Sequence, residues 1–410
     1  MHKLKPTPFT DQNKKPTVFI NQDSNIYQNT ARVLENIDLS PAAGKKVMLK
    51  PNCGRIARPG SGVVTHPDVV AAAIDAFQKA GATVSIGESP IAGVNTLQAF
   101  KAAGIADVAA RRNCPLLDMD KRRYISVDIP DGIAVKRLKV CPEVPEHDLI
   151  ISVPVIKMHM HTGVTMAVKN MKGCLWRRSK VKLHMLPPVK GYAEKSLDIA
   201  ISDMATVLRP HLSIIDGHYC MEGLGPSAGN VKKLNLALVS ADPFAADTVA
   251  CELIGRHAGD IAHLQLSSRR GFAVTDLRKI KIYPSNWQQF KKKLALPPQN
   301  IDVNFPNINI LDKNSCSACQ STLLLFLKRY GNELFDYFPN QKKLHIAIGK
   351  GHQELPAGTL CIGNCTAAHR HKGIYVKGCP PVSSSILKKI SGRESNDVFD
   401  GKSTIPDKDK

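Results

Sequence analysis

Five of the eleven cysteines, Cys316, Cys319, Cys361, Cys365 and Cys379, fall within a 64-residue stretch near the C-terminus. The pair Cys316-Ser-Ala-Cys319 has the two-residue gap that lets one turn present two thiolates to one metal centre. Gly363 and Gly378 allow the tight backbone that close approach to a cluster requires. Pro380-Pro381 suits the start of a helix over Val382–Ile390, which would set Cys379 near the positive end of its dipole. Paired knuckles are the usual zinc pattern and this chain has one CxxC, so the order CxxC…C…CPP favours a 4Fe–4S cluster over zinc. Unliganded thiols are the third reading. The expected ligands are Cys316, Cys319, Cys365 and Cys379. Cys361, in the apolar Thr359-Leu-Cys-Ile stretch, reads as a buried small hydrophobe, and its exchange with Cys365 as ligand stays open.

A second group surrounds Lys157-Met-His159-Met-His161, followed by Lys169-Asn170 and later His184. Here a strand ends, and lysines and histidines gather before a helix. Backbone donors and fixed positive charge then converge on an anion. Lys157 and His159 are candidates for general acid–base work, because burial brings either toward neutral pKa. Lys169, Asn170 and His184 are candidates for substrate binding. A metal site from His159, His161 and His184 is a weaker option, and a polar loop is the bland one. A third group, Asp216-Gly-His-Tyr-Cys-Met-Glu222-Gly223-Leu-Gly225-Pro, reads as a loop after a strand. Asp216 and Glu222 would orient a substrate hydroxyl, hold a divalent metal or pair with the lysines. Gly223 and Gly225 would line the ligand, and Asp247, one turn inside a helix capped by Asp242, would reach it. The glycine spacing matches neither the dinucleotide fingerprint nor a P-loop.

These residues need a frame. Apolar runs at Thr17–Ile20, Lys46–Leu49, Thr83–Ile86, Asp148–Val153, Leu212–Ile215 and Leu234–Val239 alternate with helix patterns at Pro67–Ala80, Glu194–Leu208 and Pro243–Ile254. Such alternation means an α/β fold, a mostly parallel sheet with helices on both faces. Sites then sit at the carboxyl ends of strands. Thr65 is the expected N-cap of the first of these helices. The predicted organisation is an α/β domain over 1–280, a Pro-, Asn- and Lys-rich linker over 281–314, a small α/β cysteine-rich domain over 315–395 and a disordered tail over 396–410.

The chain has 410 residues, is 43% hydrophobic and 5% aromatic, and carries a net charge of +21. That composition excludes wholesale disorder, and no apolar run is long enough for a membrane span. The basic excess favours anionic partners. It is spread over short clusters without interleaved aromatics, so a nucleic-acid partner is the secondary reading. The polar, basic N-terminus lacks a secretory apolar core, and a cytoplasmic protein is expected.

The motifs Lys50-Pro-Asn52, Thr65-His-Pro67, Gly87-Glu-Ser-Pro90, the Val153–Gly173 block, Asp216–Gly229 and Ser240–Asp247 resemble, in that order, the domain-of-unknown-function 362 family over residues 44–256. The downstream cysteine pattern is similar to the iron–sulfur-binding branch of that family, without the appended ferredoxin run of some relatives. The resemblance implies a cluster-associated protein with a polar site. Lys157, His159, Lys169, Asn170, Asp216, Glu222 and Asp247 occupy matching motif positions. Cys53 stands where an apolar residue is more usual. The combined expectation is an iron–sulfur oxidoreductase acting on an anionic small molecule, reaction unspecified, with electrons supplied by a protein donor. The alternatives are a nucleic-acid-binding protein with a structural cluster, and a cluster or metal carrier.

Overall fold

The computed structural model describes residues 4–9, 15–297 and 305–392. The expected tail at 396–410 lies outside the described residues. The chain divides into two compact units, the first ending at Pro297.

The first unit opens with β1 (Thr17–Gln22), α1 (Ile26–Leu34), β2 (Lys46–Pro51), α2 (Pro67–Lys79) and β3 (Thr83–Glu88). It continues with α3 (Thr96–Ala102), α4 (Ile105–Ala110), β4 (Leu116–Asp118) and the small antiparallel pair β5 (Ile125–Asp128) and β6 (Arg137–Val140). Next come α5 (Glu143–Glu146), β7 (Leu149–Val153), β8 (Val155–His159), β9 (Gly163–Thr165), α6 (Ala167–Asn170), α7 (Ser179–Lys182) and α8 (Ser196–Ala205). The unit closes with β10 (Leu212–Glu222), β11 (Asn230–Ser240), α9 (Pro243–Leu253), α10 (Ala262–Arg269) and β12 (Lys281–Tyr283).

The sheet runs β12-β1-β11-β10-β7-β2-β3-β4, with β8 beside β10 and β9 beside β8. The strands from β4 to β10 on this path are mutually parallel. Every residue of β7 is buried, as both-faces coverage demands of a parallel strand. In β2, Met48 joins the apolar cluster that α8 and α9 complete, while Val47 and Leu49 are buried outside it. The fold is thus the expected mostly parallel α/β sheet.

Three local expectations are corrected. The N-cap of α2 is His66, whose ring accepts from the Asp68 amide. Thr65 instead clamps two strand ends: its hydroxyl donates to the Val153 carbonyl and accepts from the Asn52 amide. Residues 216–222 are strand, not loop, because β10 keeps pairing with β11 through a bulge between Gly217 and Tyr219. Gly217 is required there, since a Cβ would lie 2.9 Å from the Leu236 Cβ. The stretch 281–314 is not a plain linker. Lys281–Tyr283 pairs with β1, and Trp287 and Leu294 are buried.

The second unit holds β13 (Ile308–Asp312), α11 (Ser317–Tyr330), β14 (Leu344–Ile348), β15 (Leu360–Ile362), β16 (Tyr375–Val376) and α12 (Ser383–Ser391). Its sheet order is β13-β14-β15-β16, all parallel. β13 therefore lies inside the stretch expected as linker. A 3-10 segment, Asn364–Lys372, joins β15 to β16.

Candidate functional site

In the first unit, β2, β3 and β7 are adjacent and in register at their carboxyl ends, Lys50 facing Ser152 and Pro51 facing Val153. This edge carries a buried polar centre. The Lys50 ammonium is 1% exposed and donates to Glu88 Oε2 (2.9 Å), Asn170 Oδ1 (3.1 Å) and the Pro51 carbonyl (2.8 Å). Glu88 also accepts from the Cys53 and Ser89 amides. Asn170 donates to the Lys50 carbonyl and to Ser152 Oγ. Gly173 is glycine because any Cβ would stand 2.4 Å from the Lys50 ammonium and the Glu88 carboxylate. Beside the pair, Lys157 Nζ donates to Asn52 Oδ1 (2.9 Å) and the Val63 carbonyl (2.7 Å). Burial, with Arg55 and Lys50 nearby, brings the Lys157 ammonium down to about 7.

A second basic group lies on β8, α6 and the turn after α7. Lys157 and His159 are not in a loop, as expected from sequence, but on β8, which follows β7 after the single residue Pro154 and turns back into β9. Lys169 Nζ donates to Thr162 Oγ1 (2.6 Å) and Thr165 Oγ1 (3.2 Å). Lys172 Nζ is hydrogen-bonded to His184 Nε2. His159 and His161 stack edge to face at 5.7 Å, and the His161 amide donates to His159 Nδ1. Burial lowers His159, and the charges of Lys169, His161, His184 and Lys172 lower it further. Burial and Lys180 bring Lys172 down to about 7; burial and Lys172 lower Lys169. Among the described residues no His, Cys, Asp or Glu group of three or more is arranged to hold a metal ion. The expected option of a His159, His161 and His184 metal site gains no support from this arrangement.

Several acid and glycine candidates are otherwise engaged. Asp216 is buried, accepts from the His66 amide (2.8 Å) and takes both the amide and Nδ1 of His218. Burial opposes its ionisation, but His218 and these amides hold the carboxyl below the usual range. Asp216 thus ties β10 to the start of α2. Glu222 turns to the Ala295 amide (2.8 Å) and lies 3.8 Å from Lys232, rather than joining Lys157. Asp247 accepts from the Ala167 and Val168 amides, and so caps α6 from α9. Burial raises its pKa to about 7 against those two bonds. Gly223 donates to the Ala295 carbonyl, and Gly225 lies against β8, where a Cβ would stand 1.8 Å from the Met158 carbonyl. These five residues hold the frame around the site rather than line it. Asn170 and Lys169 belong to the basic centre, and His184 is brought to it by the turn after α7.

In the second unit, the four candidate thiols stand past the carboxyl ends of three strands: Cys316 and Cys319 after β13, Cys365 after β15, Cys379 after β16. Cys316 is the N-cap of α11. The Cys319 thiol and the amides of Cys319 and Ala318 bring the Cys316 thiol down to about 6, although burial opposes this. The thiol of Cys319 is pushed up by Cys316, by burial, and by the charges of Cys365 and Cys379. Burial also raises Cys365, with Cys379 and Cys316 adding to it and Lys350 opposing. The Cys365 and Cys379 loops are stitched by the Asn364 amide on the Gly378 carbonyl (2.7 Å) and the Gly378 amide on Asn364 Oδ1 (2.9 Å). A Cβ on Gly363 would come 3.8 Å from Cys319 Sγ. None of the four is in a disulfide. The expected helix after Cys379 begins at Ser383, so the dipole acts on Cys316 instead. Cys361 points into an apolar cluster with Ala347 and Leu355.

Residues 47–252, half of the chain, match the model of a domain of unknown function, DUF362. The chain belongs to the DUF362 family. A curated relative, the thylakoid-associated protein sll1697 of Synechocystis sp., is 29% identical over 238 residues, covering 57% of this chain and 70% of that protein. Among solved structures, the lactate racemase apoprotein of Thermoanaerobacterium thermosaccharolyticum aligns over 84% of this chain and 73% of its own, with TM-score 0.40 and 14% identity. Both basic groups fall inside the DUF362 match, and the four thiols fall beyond it. No helix among the described residues is long and apolar enough to cross a membrane.

Within the DUF362 region, Lys50, Glu88, Lys172 and Lys180 were not among the expected site residues. Lys50 and Glu88 end β2 and β3, so the strand-end rule that singled out Lys157 points equally to them. Lys172 lies three residues after Lys169, on the same helical side. Lys180 is buried and donates to Ser89 Oγ and to the Leu175 carbonyl (2.7 Å). Only its burial marks it.

Proposed function

We propose that this chain is an iron–sulfur protein of oxidoreductase type that binds an anionic small molecule in its first unit. The observation that carries the reading is the placement of Cys316, Cys319, Cys365 and Cys379, within reach of one another's charge, past strand ends of one parallel sheet; a cluster would have to draw them together, since no three of them stand as a ready metal group. Sulfur donors with one thiol already favoured as thiolate fit a cluster better than hard cations. These four residues would hold a 4Fe–4S cluster, which when bound supplies one-electron transfer. The chain shows no flavin or nicotinamide fingerprint, so the electron donor in this reading is another protein.

In the first unit, Lys157 is the proton-handling group. An amine near 7 divides between both protonation states at physiological pH, which is what a general acid–base requires. Asn52 fixes its position, and Asn170 with Glu88 fixes Lys50 beside it. Lys169 and Lys172 supply the charge that holds the anion.

Anaerobic purification with iron and sulfide quantification, plus electron paramagnetic resonance after dithionite, tests the cluster. The expected result is a brown protein with about four iron and four sulfide per chain. Cys316→Ser and Cys379→Ser should each lose most of that iron. A colourless iron-free chain, or stoichiometric zinc without sulfide, overturns the reading.

A further inference from the structure

The basic group on β8, α6 and the turn after α7 has a charge count that narrows its ligand. Lys169 and Lys172 come from one short helical stretch; the Lys172 amine is hydrogen-bonded to the His184 ring, and His159 feels the charge of both lysines. Among the described residues neither lysine has a carboxylate within 4 Å, whereas Lys50 has Glu88 at 2.9 Å. The one acid whose charge Lys169 feels is Asp198, which stands 3.5 Å from His263 Nδ1. Burial and neighbouring like charge disfavour the protonated form of both lysines, and a bound anion would restore it. Lys172, His161 and His184 are only half-buried, which leaves the group open to solvent on one side.

With both lysines held protonated by the bound anion, two negative charges match them. A monocarboxylate brings one, and the guanidinium fork that suits planar carboxylates is missing from this set. Lysine ammoniums and imidazole N–H groups act as single-point donors arriving from several directions, which suits a tetrahedral oxyanion. The His161 amide occupies His159 Nδ1, so the neutral ring carries its proton on Nε2 and donates from that side.

We infer that Lys169, Lys172, His159 and His184 form a site for a phosphate-class dianion, either inorganic phosphate or the phosphoryl group of a monoester. This deepens, and rests on, the reading of the first unit as an anion site.

The test uses the full chain in phosphate-free buffer at neutral pH. Calorimetric titration with inorganic phosphate, methyl phosphate, malonate and acetate is followed on wild type, Lys169→Met, Lys172→Met and, as a control on β11, Lys232→Met. Phosphate or methyl phosphate should bind, with affinity falling at least about tenfold in the first two variants and unchanged in the third. Tighter binding of methyl phosphate assigns the site to an ester, and tighter binding of free phosphate to the inorganic ion. Malonate binding without phosphate binding overturns the phosphate class but leaves the anion reading standing. Binding of none of the four overturns both. Should Lys169→Met or Lys172→Met fail to fold, histidine ring NMR of the wild type decides. Phosphate must then move the His159 and His184 signals and leave His211 unmoved; the reverse overturns the assignment.

Discussion

The two units place their reactive groups at the same kind of location and give them opposite polarity. In both, parallel strands end in loops, and the carboxyl edge collects polar side chains from several stretches of sequence. In the first unit that edge holds buried lysines and histidines, whose neutral forms burial favours. In the second it holds thiols, one of which is pushed toward its charged form by the Cys319 thiol and by the amides of a helix start. The parallel-sheet edge is therefore neutral ground, and the residue type decides what it attracts. The units also differ in how they hold their groups. Lys50, Glu88, Asn170 and Asn52 form a closed hydrogen-bonded network. The thiols are held by backbone turns, with glycine at the tight places.

The largest expected effect follows from that network. Glu88→Gln removes the partner of a fully buried ammonium and turns an amide N–H toward the donors that Glu88 now accepts. Breaking one side of a buried ion pair costs about 3–5 kcal/mol. Both tryptophans, Trp176 and Trp287, lie in the first unit, so tryptophan fluorescence in urea reads that unit alone. A loss under about 1 kcal/mol would mean that the network does not stabilise the site edge, and the contrast between the units would fade. Next in size is Asp247→Ala, which strips the acceptor from the Ala167 and Val168 amides. Leaving buried amides unsatisfied costs about 2–3 kcal/mol in the same assay. Because Asp247 caps α6, this variant should also weaken phosphate binding through misplaced Lys169. Unchanged binding would separate Asp247 from the site.

The pH dependence sharpens the comparison further. The Lys157 ammonium titrates near 7 in the folded chain and near 10.4 when unfolded. Between those values the unfolded chain binds the extra proton, so this residue makes stability rise with pH above about 7. Its penalty is fully present below that. Lys157→Met should remove a slope of up to about 1.4 kcal/mol per pH unit between pH 7 and 10, measured in anion-free buffer. Identical slopes in wild type and variant would show that Lys157 keeps its ordinary pKa and cannot serve as the proton-handling group.

The frame was legible in the sequence because both-faces burial writes continuous apolar runs such as Leu-Ile-Ile-Ser-Val at 149–153. Less legible was where strands stop. Ile156 and Met158 alternate with Lys157 and His159, which is a strand period, yet the polar residues read as a loop. Glycine misled in the same way at 217 and 225, where it serves close backbone approach rather than turning. Lys172 and Lys180 were hidden because lysine is presumed to be at the surface, and only three-dimensional packing shows Lys180 buried and Lys172 half-buried. The spacing of Cys316, Cys319, Cys365 and Cys379 pointed to turns, and the structure sets these residues in two strand-end loops and one helix start.

The smallest effect concerns Cys361, and it bears on how the second unit chooses its sulfurs. Cys361 sits on β15 itself, four residues before Cys365, and its side chain packs with Ala347 and Leu355 instead of leaving the sheet edge. A strand residue reaches the edge only through its neighbours beyond the last ladder bond, and Cys361 is still paired with Ala347 and Tyr375. Cys361→Ala should therefore cost on the order of 1 kcal/mol from the lost sulfur contact and leave bound iron unchanged. Loss of iron in this variant, with Cys365→Ala retaining it, would move the ligand set one loop inward. The second unit would then draw its metal donors from within the sheet, as the first unit draws Lys157 from β8, and the contrast between loop-held and network-held groups would fail.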